Sequence, residues 1–340
     1  MPLNHQRVVV ERGARSGFPI IVAVHSTALG QAVGGCRLAV YSDWRDGFDD
    51  ALRLSAAMTS KTALAGLPNG GGKTVVALPR ARPVDRRAVL HDVADVIEGL
   101  GGIYATGPDV GTGPGDMVTI GERTNHVLCR DGDSSPGTAA GVLAALRAVA
   151  ADRFGSPDPA GRSFAVLGVG RVGTHVVRLL SAAGARVLCS DVDASRRTVA
   201  ESLGATWTDP RSCLTAEVDV LVPAALGGVL TPATVPALRC AAVAGPANNQ
   251  LDEPATADLL HARGILWAPD VVVSAGGIIH ALATGLHREE PSRVAARIAA
   301  VGETLAGILE AARETSSTPA AAASRLADWL IGSPTGAVPA

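Results

Sequence analysis

The sequence predicts an α/β protein with two domains, the second of them a doubly wound parallel sheet. A length of 340 residues with 47% hydrophobic residues suits two domains that each have a core. From residue 163 to residue 268, apolar segments of strand length alternate with segments of helix length, which is typical of a sheet with helices on both faces. A stretch rich in Asp, Ser, Gly and Pro at residues 131–137 has the composition of a junction between the two parts.

The part before this junction predicts a strand-rich domain with one long helix. The helix follows a cap at Ser42 or Asp43, and small and apolar side chains recur at helical spacing from Phe48 to Met58. Pro68–Gly72 predicts a turn, because a Pro-Asn pair followed by three glycines is unfavourable in helices and strands. Strands are expected at Arg7–Val10, Pro19–Val24, Gly35–Val40 and Thr74–Leu78.

The part after the junction begins and ends with helices. An alanine-rich helix is expected at Thr138–Ala151, and the chain is helical again at Ala275–Leu286, at Pro291–Glu314 and in one short segment after Thr318. Strands between these helices are expected at Phe164–Leu167, Arg186–Ser190, Val218–Val222, Ala241–Ala244 and Ile265–Ala268.

Composition and charge exclude several classes of function. A net charge of −2 and 3% aromatic residues argue against binding to nucleic acid or to an anionic membrane. The five cysteines form no C-x-x-C pair, so we expect buried thiols in a reducing compartment. The eight histidines show no metal-ligand spacing, and we predict no metal. Because no membrane span or secretion signal is present, we expect a soluble cytoplasmic protein.

One glycine-rich segment predicts a dinucleotide site. The expected strand ending at Leu167 is followed by Gly168-Val169-Gly170-Arg171-Val172-Gly173 and then by a helix. The three glycines allow a tight turn, close approach of the backbone to a pyrophosphate and packing of the helix on the strand, and the helix N-terminus supplies amide donors. We therefore predict a Rossmann domain; a glycine-rich turn without a ligand is the alternative.

The residue after the next strand favours NAD over NADP. Asp191 lies 23 residues past Gly168, a separation at which a carboxylate binds the ribose hydroxyls and repels a 2′-phosphate. Arg196 and Arg197 lie just beyond. They either bind that phosphate or, as is more common, are solvated charges on a helix.

The distribution of lysine indicates a second site. The chain has 28 arginines and two lysines, Lys61 and Lys73, on either side of the glycine run. Arg keeps its proton at any working pH, whereas a buried lysine loses its proton more readily. Lys61 continues the inward face of the predicted helix, where an ammonium group needs an anion. We infer a site that uses amines; chance survival in an arginine-rich composition is the alternative.

Several short segments accompany these two signals in a fixed order. They are Gly34–Arg37, Met58–Lys61, Gly70–Lys73, Thr106–Thr112, Ala225–Gly228 and Ala247–Asn249. Together they resemble motifs of the glutamate/leucine/phenylalanine/valine dehydrogenase family, from about Val33 to Gly277. The resemblance implies reversible, NAD-linked oxidative deamination of an L-amino acid to a 2-oxo acid and ammonia, carried out by a homo-oligomer.

This reaction needs an anchor for the α-carboxylate, a base for the attacking water and a group that moves the amine's proton. Lys61 suits the anchor, with a backbone amide from Gly34 or Gly35, while Lys73 suits the base and Asp109 the proton transfer. The resemblance assigns the same roles. The alternatives are that Lys73 only clamps an anion and that Asp109 only shapes its glycine-rich turn.

The resemblance adds cofactor contacts and one departure from the family pattern. Thr138, Ala225 and Asn248 match cofactor-side positions, although Thr138 would equally suit a helix cap and Asn248 a turn. Where the family commonly has Asn-Ala-Gly-Gly, this chain has a serine, Ser274, as the first residue. We expect Ser274 to loosen the substrate's anchor, because a hydroxyl offers one donor and an amide two.

The substrate side chain is expected to be apolar. Val33 stands where glutamate-specific relatives carry a lysine, and an unpaired carboxylate against an apolar wall is costly. Gly107-Pro108 resembles the phenylalanine-type enzymes, so we favour phenylalanine or a similar amino acid, then valine or leucine. The alternatives are an imine- or opine-type NAD(P)-dependent reductase and a non-catalytic NAD-binding member of the family.

Two domain ranges follow from this reading. Residues 1–135 with about 282–340 are expected to form the catalytic, substrate and oligomerisation domain. Residues 136–281 are expected to form the Rossmann domain, with the site in the cleft between the two.

Overall fold

The computed structural model describes residues 4–79, 85–129, 133–225 and 227–332, and it divides into two compact units. The first holds the described residues up to Asp133 and those from Ala327 onwards, and the second holds Ser134–Leu326. Each unit contains a β-sheet with helices beside it. The predicted α/β class with two domains is therefore confirmed.

The first unit is a mixed five-stranded sheet with helices packed on it. In chain order its elements are β1 (Arg7–Arg12), β2 (Pro19–Ser26), β3 (Ala32–Val40), α1 (Trp44–Leu64), β4 (Gly70–Leu78), α2 (Arg86–Glu98), β5 (Tyr104–Pro108) and α3 (Pro114–Ile120). The strand order is β1-β2-β4-β3-β5, with β3 parallel to β4 and β5 and with β2 antiparallel to β1 and β4. Strand β3 thus lies between β4, which carries Lys73, and β5, which ends just before Asp109.

Each face of this sheet has its own apolar core. Helix α1 covers the face that carries Val75, and α2 covers the face that carries Cys36 and Val76. Because side chains alternate along a strand, Lys73 shares the face of Val75, which α1 covers. Helix α1 begins at the predicted cap, Asp43, whose carboxylate accepts a backbone hydrogen bond of 2.8 Å in the first turn.

The glycine run belongs to a strand rather than to a turn. Strand β4 begins at Gly70, so the turn predicted over Pro68–Gly72 is wrong for its three glycines. A Cβ on Gly71 would lie 2.0 Å from the backbone nitrogen of Thr59 in α1, and one on Gly72 would lie 2.6 Å from the ring of Tyr104. Glycine is required here because both neighbouring layers approach the strand closely.

The second unit is a doubly wound parallel sheet, as predicted. Its elements are α4 (Ser135–Phe154), β6 (Ser163–Leu167), α5 (Arg171–Ala182), β7 (Arg186–Ser190), α6 (Arg197–Ser202), β8 (Thr206–Trp207), α7 (Pro210–Leu214), β9 (Glu217–Pro223), β10 (Arg239–Val243), α8 (Thr256–Ala262), β11 (Leu266–Trp267), α9 (Asp270–Val273), α10 (Gly276–Gly285), α11 (Pro291–Glu314) and the first part of α12 (Pro319–Gly332), whose residues from Ala327 onwards belong to the first unit. The strand order is β11-β10-β9-β6-β7-β8, and all neighbours are parallel. The winding reverses between β6 and β9, and sheets of this kind bind ligands at that point, beyond the carboxyl ends of the strands.

The boundary between the units differs from the expected one. The sequence suggests that residues 282–326 belong with the N-terminal part, but they lie in the second unit. The reason is that α11 packs along α4: a Cβ on Gly302 would lie 2.8 Å from the carbonyl oxygen of Ala144, and Arg313 pairs with Asp152 at 2.5 Å. In the described ranges no helix, including the 24-residue α11, is long and apolar enough to cross a membrane.

Candidate active site

An ion pair across one strand forms the centre of the polar site in the first unit. Lys73 in β4 is buried, with 5% of its surface exposed, and its Nζ lies 2.8 Å from Oδ2 of Asp109, which follows β5. Strand β3 runs between them, and a Cβ on its Gly35 would lie 3.3 Å from Lys73 Nζ and 2.7 Å from Asp109 Cβ. Gly35 therefore leaves the space in which the side chain of Lys73 in β4 meets that of Asp109, which follows β5.

Arg37 reaches the same carboxylate from β3. Its Nε donates to Oδ2 of Asp109 at 2.9 Å, and its Nη1 donates to Oδ2 of Asp50 in α1 at 2.7 Å. Asp50 also accepts hydrogen bonds from the Tyr41 hydroxyl at 2.8 Å and from Arg53 at 2.5 Å. Sequence reasoning gave these supporting residues no role. The role of Arg37 could have been inferred from the alternation of side chains along β3, which places Arg37 on the same face as Gly35, the glycine under the ion pair.

The charge of Asp109 is set by opposing effects. Burial favours the neutral acid, but the charges and hydrogen bonds of Lys73 and Arg37 outweigh it and hold the pKa of Asp109 below its ordinary value. The loop around Asp109 is also fixed, because Thr112 Oγ1 accepts from the Asp109 amide at 2.9 Å and donates to the Cys36 carbonyl at 2.7 Å. Asp109 is thus an ionised carboxylate held in one position.

The other predicted substrate residues of this unit lie on neighbouring positions. Lys61 is half-buried in the last turn of α1, two residues after the point where α1 meets β4. Val33 and Gly34 are buried in β3, and a Cβ on Gly34 would lie 1.8 Å from the carbonyl oxygen of Gly72. Pro108 ends β5, directly before the ion pair. The four residues thus lie on α1, β3 and β5: α1 covers the face of the ion pair, β3 runs between its two residues, and β5 ends directly before Asp109.

The predicted glycine loop of the second unit connects β6 to α5. Gly168 has a φ of +114°, and a Cβ on it would lie 2.7 Å from the Ala225 amide nitrogen, while a Cβ on Gly173 would lie 2.0 Å from the Gly168 carbonyl oxygen. A Cβ on Gly170, the N-cap of α5, would meet nothing within 4 Å. The loop is tightly turned, packed on its strand and open at the helix N-terminus, where Arg171–Val172 begin α5, so it fits a pyrophosphate.

Asp191 follows β7 and contacts this loop. Its Oδ2 accepts from the Val169 amide at 2.7 Å, and its Oδ1 accepts from the Asp193 amide at 3.0 Å. Arg196 pairs with Asp193 at 3.4 Å, and Arg197 pairs with a glutamate one helical turn later at 2.7 Å. The two arginines that could bind a 2′-phosphate thus form ion pairs with acidic residues of their own segment.

Asn248 and Ser274 come together beyond β10 and β11. Ser274 Oγ donates to the Asp270 carbonyl at 2.5 Å and lies 3.4 Å from Asn248 Oδ1. Thr138 is in the first turn of α4, where its hydroxyl donates to a carbonyl one turn earlier at 3.0 Å, and a Cβ on Gly277 would lie 2.4 Å from that hydroxyl. Thr138 therefore lies beside the segment that Ser274 begins.

Family models match both parts of the chain. Residues 4–126 match the model described as Glu/Leu/Phe/Val dehydrogenase, dimerisation domain, and residues 190–286 match the model described as Glutamate/Leucine/Phenylalanine/Valine dehydrogenase. Together they cover more than half of the chain, and they include every predicted site residue of the first unit.

Similar proteins carry the same activity class in their names. Leucine dehydrogenase from Bacillus cereus is 37% identical over 338 residues, which are 97% of this chain and 92% of that protein. Valine dehydrogenase from Streptomyces albus is 38% identical over 340 residues, which are 96% and 92%. The crystal structure of L-tryptophan dehydrogenase from Nostoc punctiforme matches with a TM-score of 0.85 and 33% identity over 97% of both chains. The chain therefore belongs to the glutamate/leucine/phenylalanine/valine dehydrogenase family, as an oxidoreductase that acts on amino acids.

Proposed function

We propose that this protein catalyses the reversible, NAD-linked oxidative deamination of an apolar L-amino acid, with Lys73 as general base, Asp109 in proton transfer and Lys61 as the carboxylate anchor. The observation that carries the proposal is the buried Lys73–Asp109 pair, whose charged atoms are 2.8 Å apart over a strand position without a side chain. An amine and a carboxylate held in contact are suited to exchange protons with a substrate bound beside them.

The proton steps follow from this pair. The Asp109 carboxylate accepts a proton from the substrate ammonium, which leaves an amine whose lone pair forms the C=N bond. Bound at the loop Gly168–Gly173, a nicotinamide cofactor would supply the acceptor for the hydride of the α-carbon. Lys73, as a neutral amine, takes a proton from the water that attacks the iminium carbon. Asp109 returns its proton to the nitrogen and then takes up the hydroxyl proton as the C–N bond breaks, which yields the 2-oxo acid and ammonia.

We assign the dinucleotide to the second unit, with its pyrophosphate at the loop Gly168–Gly173. Asp191 beside this loop supports NAD over NADP, because its carboxylate binds ribose hydroxyls and repels a 2′-phosphate. The engagement of Arg196 and Arg197 with acidic partners supports the same choice. Further proposed contacts are Thr138, Ala225 and Asn248. We assign binding of the amino acid and assembly of the homo-oligomer to the first unit.

The substrate side chain is apolar in this proposal. Val33 is fully buried in β3, at the position where glutamate-specific relatives carry a lysine, and the two lysines of the chain have other roles. The three relatives named above act, by their names, on leucine, valine and tryptophan. Pro108 and the glycine before it leave room for a ring, so we place phenylalanine-like substrates first and valine and leucine next.

An assay of NADH absorbance with 2-oxo acids and ammonium tests this function. We expect NADH oxidation with phenylpyruvate, 4-methyl-2-oxopentanoate and 3-methyl-2-oxobutanoate, and little with 2-oxoglutarate, because its second carboxylate would be desolvated without a partner. Replacing NADH by NADPH tests the coenzyme.

Two further conditions separate the rival functions. A reductase of the imine or opine type would accept methylamine in place of ammonium, whereas an amino acid dehydrogenase requires ammonium. Absence of turnover with all three apolar acids and either coenzyme would contradict the proposal and favour a non-catalytic protein.

A further inference from the structure

Arg37 binds the same carboxylate oxygen as Lys73. Its Nε lies 2.9 Å, and Lys73 Nζ 2.8 Å, from Oδ2 of Asp109. Within the described part of the chain, the hydrogen bond from Arg37 and the ion pair with Lys73 both reach Oδ2. Oδ1 is therefore the oxygen that remains for a proton of the substrate.

We propose that Arg37 is a positioning residue: it fixes Oδ2 of Asp109 so that Oδ1 exchanges the substrate's proton, and it keeps Asp109 an anion while Lys73 is a neutral amine. This inference rests on the proposed function of Lys73 and Asp109. When Lys73 has given up its proton, the guanidinium still carries its charge, because Arg is protonated at any working pH. Without Arg37, Lys73 would be the one cation among the described residues left in contact with Oδ2 of Asp109.

Arg37 is itself held from the other side. Its Nη1 pairs with Asp50 at 2.7 Å, and the two side chains are 17% and 15% exposed, so solvent screens the pair only in part. Asp50 accepts further bonds from Tyr41 at 2.8 Å and Arg53 at 2.5 Å. Burial and the neighbouring carboxylate raise the pKa of Tyr41, so its hydroxyl stays a donor. These bonds fix the direction of the guanidinium fork.

Other ionisable groups near this carboxylate do not replace the guanidinium. Cys36 on β3 is buried, which raises the pKa of its thiol to about 12, and burial also raises the pKa of Tyr104 on β5, so both are neutral. Arg86 on α2 is engaged with Asp116 on α3 at 2.7 Å. The contacts that set the charge of the carboxylate are therefore the cations on β4 and β3.

A bridge with a purely structural role provides the matched control. Arg15 bonds Asp92 at 2.8 Å and Asp95 at 2.7 Å. Like Arg37, it joins two carboxylates of the first unit, but its partners belong to α2 and have no place in the proposed reaction. Arg15→Gln therefore removes two ion pairs without touching Asp109.

Steady-state kinetics of oxidative deamination from neutral to alkaline pH tests the inference on the full chain. Arg37→Gln should lower kcat about tenfold or more, raise by about one unit the pH at which activity is half-maximal, and leave the KM for the coenzyme unchanged. Arg37→Lys keeps the charge but not the fork, so it should restore the pH midpoint and only part of kcat. Arg15→Gln should lower Tm and change neither kcat nor the midpoint.

If Arg37→Gln folds, either of two results would overturn the inference. One is a folded Arg37→Gln enzyme with wild-type kcat and pH midpoint; the other is an equal shift of the midpoint in Arg15→Gln. If Arg37→Gln does not fold, Asp50→Asn removes the anchor of Arg37 and should lower kcat, and wild-type kcat in that variant rejects the inference. A wild-type protein that turns over no amino acid refutes the proposed function instead, before any variants are compared.

Discussion

Ser274 stands in place of a family asparagine, and its hydroxyl donates to the Asp270 carbonyl at 2.5 Å, within its own helical segment. Ser274→Asn supplies a longer amide with two donors, so we expect the KM for the amino acid to fall by about threefold to tenfold, the worth of one hydrogen bond. Steady-state kinetics checks this, with the KM for the coenzyme as the internal control. An unchanged or higher KM with every substrate counts against a loosened anchor.

Residue types and motifs led to the proposed roles of Lys73 and Asp109, but they did not predict the contact between the two side chains. That contact depends on the strand order β4-β3-β5 and on the missing side chain of Gly35, and neither is visible as a local pattern. Arg37 was unassigned for the same reason, because its two carboxylate partners are remote in sequence.

At the scale of elements, the contact of α1 with β4 depends on Gly71, since a Cβ there would lie 2.0 Å from the Thr59 nitrogen. Gly71→Ala should lower the free energy of unfolding by about 1–3 kcal/mol through overpacking. The control is Gly115→Ala in α3, where a Cβ meets nothing within 4 Å; it should be neutral or stabilising by up to about 1 kcal/mol. Urea unfolding measures both, and equal effects would contradict the close packing.

Asp92 ties α2 to the turn between β1 and β2. Burial opposes its ionised form, but hydrogen bonds from Ser16 and Arg15 outweigh burial and lower the pKa of Asp92. A lowered pKa in the folded state adds stability above the ordinary carboxyl pKa, and that stability is lost as the pH falls through the folded value. Asp92→Asn should cost about 1–3 kcal/mol at neutral pH and weaken the loss of stability on acidification.

Unfolding curves at neutral and acidic pH measure this difference. A variant that loses stability on acidification as steeply as the wild type would show that Asp92 does not contribute to the pH dependence.

Elements with a clear period were predictable, and those without one were not. The expected strand at Arg186–Ser190 and helix at Pro291–Glu314 agree with β7 and α11. Strand β5 has the sequence YATGP. Gly and Pro are unfavourable in strands, so this segment shows no pattern that predicts one. The glycine run was misread because close packing, rather than a turn, selects its residues.

At the scale of the whole molecule, the order of strands and helices predicted the doubly wound parallel sheet, which is confirmed. The boundary near residue 282 was not predictable, because it depends on which helix α11 packs against. Helix α11 packs on α4 through close contacts such as the one at Gly302. An amphipathic pattern shows that a helix has a buried face, but it does not show which element covers that face.

We propose that the chain assembles into a homo-oligomer, because the model that matches residues 4–126 is described as a dimerisation domain. Light scattering coupled to size exclusion should give a mass that is a multiple of the 34.3 kDa of one chain. A single-chain mass at micromolar concentrations would contradict assembly.

The central claim is that Lys73 acts as a base and therefore needs an amine that gives up its proton. Arg keeps the positive charge but not this ability, so Lys73→Arg separates the two roles. We predict that kcat falls by about a hundredfold or more while the Kd for NADH and the far-UV circular dichroism spectrum stay at wild-type values. Undiminished turnover in a folded Lys73→Arg enzyme would contradict the account.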